Sequence, residues 1–124
     1  MPRHQIPDLI LPTTGVVEMV NDAVVHYSKE IPLWSIQEKT IQIYGIIAFG
    51  VPGPLNCWIE VAPYPLALGA LYTMLGVPVA LAATGSITIP WVAHSEYARL
   101  VVQAPGAGAA AIWTAFAMFS GKGP

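Results

Sequence analysis

Residues 40–49 read TIQIYGIIAF; the turn Gly50-Val51-Pro52-Gly53-Pro54 follows, and residues 55–61 resume as LNCWIEV before Pro63-Tyr64-Pro65. Both runs are rich in β-branched and aromatic side chains and are bounded by Pro and Gly, which is the pattern of two strands around a turn. In the first run Ile41, Ile43, Gly45, Ile47 and Phe49 share one face, while Gln42, Tyr44, Ile46 and Ala48 share the other. Both faces are largely apolar. A two-layer domain covers only one face of each sheet, so the second face is expected to meet another subunit, a covering loop or lipid.

Further strands are expected on either side. Ser86-Ile87-Thr88-Ile89, residues 98–104 (ARLVVQA) and residues 111–120 (AIWTAFAMFS) are separated by Pro90 and by Pro105-Gly106-Ala107-Gly108. In the last of these, Ile112, Thr114, Phe116 and Met118 oppose Trp113, Ala115, Ala117 and Phe119, again with two apolar faces. Residues 16–27 (VVEMVNDAVVHY) fit one helix or two short strands about Asn21-Asp22, and the strands are preferred, since valine favours strands and Asn-Asp favours a turn. Strands at this spacing give an all-β chain, a small β-sandwich or jelly-roll-like barrel. Pro2, Pro7 and Pro12 predict an extended N-terminal arm over 1–15. The rest, 16–124, is expected as a single β-sandwich domain with a long apolar loop at 64–85.

The composition narrows the function. Of 124 residues 55% are hydrophobic and 10% charged, with net charge −2, against about 25% charged in an ordinary soluble domain. Eight of the twelve charged side chains lie in the first 39 residues, and none lies in 61–95. No basic stripe is available for a phosphate backbone, so nucleic acid is excluded as a partner. Residues 1–8 hold no apolar run of the kind that makes a signal peptide. The single Cys57, in the context Leu55-Asn56-Cys57-Trp58-Ile59, reads as a small buried hydrophobe.

No catalytic or cofactor-binding constellation emerges. His94, Ser95 and Glu96 are adjacent, and neighbours in an extended chain point to opposite faces, so they do not converge as a triad. His94 and Glu96 share a face and, with Arg99, would make a polar cluster where the chain joins the strand at 98. His4, His26 and His94 lack metal-ligand spacing. The isolated carboxylate Glu60 is expected to pair with Arg99, the only basic residue between Lys39 and Lys122. The tryptophans Trp34, Trp58, Trp91 and Trp113 read as core or interface aromatics, and only Trp58, with Asn56 and Glu60 on its strand face, approaches a sugar platform. Interface residues are expected at Tyr44, Ile46, Trp113 and Phe119 in the two-faced strands. Leu68, Leu71, Tyr72, Met74 and Leu75 in the apolar loop complete that set.

Residues 45–61 and 91–122, with IPWVAHSEYARLVVQAPG followed by AIWTAFAMFSGK, resemble small β-sandwich virion proteins, the head-decoration and other capsid- or tail-associated proteins of phages and archaeal viruses. The resemblance implies a non-enzymatic, self-associating particle component located in the virion. Its partners would be other copies of itself and a capsid or tail protein. The apolar pattern by itself points to the same homo-oligomer. Two alternatives belong to other classes. One is a small membrane protein spanning at 66–83, although Gly69, Gly76 and Pro78 interrupt that stretch. The other is a carbohydrate-binding β-sandwich module built around Trp58.

Overall fold

The run at 40–49 forms most of β5 (Glu38–Phe49), and LNCWIEV begins β6 (Leu55–Ala62). The two do not pair: Pro52 and Pro54 remove backbone donors from the connection, and it carries the chain from one sheet to the other. The computed structural model describes residues 4–13, 18–20, 24–33, 36–105 and 111–122. Besides β5 and β6 it contains β1 (His4–Leu11), β2 (Glu18–Val20), β3 (His26–Tyr27), β4 (Ile31–Pro32), β7 (Thr73–Leu81), β8 (Gly85–Trp91), β9 (Tyr97–Gln103) and β10 (Ile112–Lys122). Its one helical element among the described residues is a 3-10 turn, Leu66–Leu68.

Sheet 1 has the order β1-β10-β5-β8, and β2 follows β1 along the same edge of β10. Sheet 2 has the order β3-β9-β6-β7, with β4 following β3 along β9. Every pairing is antiparallel. Four strands therefore face four, in the double-sheet arrangement of a jelly roll. Between the sheets lie Ile10, Ile41, Ile43, Trp113 and Phe119 from sheet 1 and Leu55, Cys57, Ile59, Leu100 and Val102 from sheet 2. Gly45 makes room for this packing: a Cβ there would stand 2.6 Å from Leu81 and 3.1 Å from the Trp113 ring. The Trp113 indole N–H is satisfied by the Gly53 carbonyl at 2.8 Å.

Three expectations are corrected. The N-terminal arm is, from His4 to Leu11, an edge strand of sheet 1. Pro7 is tolerated because it falls at a register irregularity between Gln5 and Asp8, where a missing N–H costs no ladder bond. The long apolar loop at 64–85 contains β7, and the helix that a membrane span at 66–83 would need is absent. Among the described residues no helix is long and apolar enough to cross a membrane. Gly76, at φ +76°, and Pro78 sit in a bulge, so they interrupt the strand without ending it. Trp113 and Phe119, expected at an interface, are core residues with 0% exposure. The small Ala115 and Ala117 on their face let sheet 2 approach, which fixes the phase of β10. The expected turn at Asn21-Asp22 lies outside the described residues.

Candidate functional site

The two sheets present different outer faces. On sheet 2 the register sets Asn56 opposite Gln103, Trp58 opposite Val101 and Glu60 opposite Arg99, while Tyr27 of β3 also faces Val101. Arg99 Nη2 lies 2.8 Å from Glu60 Oε1, and both side chains are 16% exposed. Arg99 Nε donates to the same oxygen at 2.9 Å. The second Glu60 oxygen accepts from the Trp58 indole at 3.1 Å. Above the pair, the guanidinium carbon stands 4.1 Å from the Tyr27 ring centre and 4.3 Å from that of Tyr72, a cation held between two rings. Tyr72 donates its hydroxyl to Glu30, whose same oxygen accepts from the backbone of Leu66 at 2.9 Å. Burial first, and then the Glu30 carboxylate, push the Tyr72 hydroxyl above its ordinary range. The cluster thus ties the 3-10 turn and the start of β7 to the middle of sheet 2.

Sheet 1 is its opposite. Strands β5, β8 and β10 carry no charge between Thr40 and Phe49, between Gly85 and Trp91, or between Ile112 and Gly121. Tyr44 and Phe116 stack on the outside with ring centres 4.7 Å apart. Leu9, Met19 and Ile46 are 42–54% exposed beside them. A second apolar zone follows β7, with Leu68, Leu71, Met74 and Val77 exposed. Leu75, from the expected interface set, instead packs partly into the core, and Tyr72 is drawn onto the Arg99 cluster.

At one end of the sandwich His94 Nε2 lies 3.1 Å from Glu96 Oε1, with His94 84% exposed, while Ser95 Oγ is buried without a partner. The three do not converge, and Arg99 turns away from them to Glu60. The backbone carbonyl of Glu96 accepts from Leu33 at 2.9 Å, so this loop anchors the start of β9. Among the described residues no three His, Cys, Asp or Glu side chains come together to hold a metal. Lys39 is buried and donates to the Ala93 carbonyl at 2.8 Å; burial lowers its basicity. Burial pushes the Cys57 thiol up to about 12.

Trp58, Asn56 and Glu60 were placed on one face by strand periodicity alone. Tyr27 and Tyr72 were not joined to them, because strand pairings and a connection remote in sequence bring them there. Trp34 lies outside the described residues.

No protein-family profile and no curated protein matches the chain. Solved structures share its fold. The crystal structure of PirA aligns with TM-score 0.56 at 13% identity, covering 83% of this chain and 91% of that one. A family 16 carbohydrate-binding module aligns with TM-score 0.53 at 8% identity, covering 80% and 71%. Bacillus endospore appendages, a family of disulfide-linked pili, align with TM-score 0.50 at 12% identity, covering 99% and 90%. At these identities the likeness establishes the β-sandwich and nothing finer.

Proposed function

We propose that the chain is a non-enzymatic structural subunit that self-assembles through apolar interfaces, as a virion component that decorates or stabilises a capsid or forms part of a tail. One observation carries this reading: beyond the Glu38–Lys122 pair at its end, the outer face of sheet 1 carries no charge on β10, β5 or β8, and the stacked Tyr44 and Phe116, with Ile46 and Met118, make its centre apolar. Four strands at ~4.8 Å spacing and about ten residues at ~3.3 Å make a face of roughly 600 Å². That is most of the roughly 800 Å² each partner gives to a standard interface. A centre with neither sign of charge has no electrostatic bar to meeting a copy of itself, and burial yields about 25 cal/mol per Å² before association costs.

The sandwich of the endospore pili serves a polymer, which supports the same use here. The chemistry of joining differs. This chain has a single cysteine, Cys57, and it is fully buried, so its copies associate without disulfides. Size-exclusion chromatography with light scattering tests the proposal. Assembly at micromolar concentration is expected, and electron microscopy of the product distinguishes shell from tube. A stable monomer under those conditions overturns it.

A further inference from the structure

Surface ion pairs contribute little to stability, yet the outer face of sheet 2 holds a chain of five oriented groups. Tyr27 and Tyr72 clamp Arg99, Arg99 holds Glu60, and Glu60 holds the Trp58 indole. The end product of this chain is a half-buried tryptophan whose ring is fixed before anything binds. Its surroundings are equally specific. Asn56 precedes it on the same strand face, and Gln103 stands opposite Asn56, so two amides lie to one side. On the other side β7 bulges: Cys57 pairs with Val79 and Ile59 with Leu75, which leaves Trp58 with no partner in the β7 register. Bulges of this kind re-aim side chains beside binding sites. Across Val101, two strand spacings or about 9.6 Å away, Tyr27 is 43% exposed and carries Arg99 on one ring face.

We infer that this face binds a neutral oligosaccharide, with one sugar ring stacked on Trp58, the next reaching toward Tyr27, and hydroxyls taken by Asn56 and Gln103. Aromatic faces match the apolar C–H side of a pyranose, and amides both donate and accept, as hydroxyls require. The site selects a neutral ligand because its charges are already spent on each other: Glu60 on Arg99, Glu30 on Tyr72 and the Leu66 amide. A fixed ring also lowers the ordering cost of binding. The inference is independent of self-assembly, which uses the other sheet, although an assembled array would bind glycans with added avidity.

The test is a glycan array carrying glucan, mannan and N-acetylhexosamine oligomers beside sialylated and sulfated ones, followed by calorimetry with the strongest neutral oligomer. Binding to one neutral class is expected, weakened about tenfold by Trp58→Ala and largely kept by Trp58→Phe. If Trp58→Ala does not fold, Asn56→Ala serves, with an expected loss of about fivefold. Absence of binding at millimolar oligosaccharide, or binding untouched by these changes, overturns the site. So does binding restricted to anionic glycans and abolished by salt. Loss of self-assembly in Trp58→Ala, with no glycan bound, reassigns the face to a protein contact.

Discussion

The outer faces of the two sheets are built from the same alternating strands and have opposite chemistry. Sheet 1 shows the Tyr44–Phe116 stack among Leu, Met, Ile and Thr, with no charge in the centre. Sheet 2 shows an arginine between two tyrosines, bonded to a glutamate that holds a tryptophan. Among the described residues no further sheet or helix covers the outer face of sheet 1, and on sheet 2 Tyr72 closes over Arg99. The first presents uncharged, largely apolar side chains at its centre, whereas the second has paired its own charges and keeps an aromatic in place. On the proposed reading the sandwich divides its tasks by sheet, with cohesion on one side and recognition on the other.

The sharpest way to break this division is to charge each face in turn. Phe116→Glu puts like charges into any symmetric sheet 1 interface, and association is expected to fall by roughly 100-fold or more. Asn56→Lys on sheet 2 is expected to leave the light-scattering mass unchanged. Equal effects of the two would erase the distinction. Next in size is Arg99→Ala, which strands the half-buried Glu60 and is expected to cost about 2 kcal/mol in urea unfolding. A cost near zero would make the cluster an ordinary solvent-screened pair. Replacing both partners, with Glu60→Gln and Arg99→Met, should cost less than about 1 kcal/mol, because no uncompensated charge remains.

The smallest expected effect is in pH dependence. The Tyr72 hydroxyl is raised above the ordinary tyrosine value of 10.0 by burial and by Glu30, so the folded state holds this proton more tightly than the unfolded state. Its contribution to stability is complete below about pH 10 and is lost as pH climbs past that value toward the raised one. Melting temperatures taken between pH 8 and 11 should decline less steeply above 10 in Tyr72→Phe than in the unaltered protein. An identical decline would detach Tyr72 from the cluster's energetics.

Much of the architecture was legible in the strands themselves. Strands β5, β6, β9 and β10 follow directly from alternation and from their Pro and Gly boundaries. The first and seventh strands were hidden because Pro7, Gly76 and Pro78 look like breakers, and only sheet pairing shows that they fall at irregularities in edge strands. The phase of β10 was equally closed to sequence reading. With apolar side chains on both faces, Trp113 and Phe119 had the same claim to the outside as Phe116 and Met118. Glu60 and Arg99 could be matched because charges are so scarce in this region. Tyr27 and Tyr72 could not, since nothing local marks a ring that will close over a guanidinium from another strand.

The sequence by itself determined the class of fold and the location of the charge deficit, because side-chain alternation and proline placement act locally on the backbone. It also determined that Asn56, Trp58 and Glu60 share a strand face, a consequence of the two-residue period alone. Which apolar face turns inward, and which tyrosines reach Arg99, were decided only by the tertiary structure. Those choices depend on how two sheets fit together, and on strand partners separated along the chain by dozens of residues.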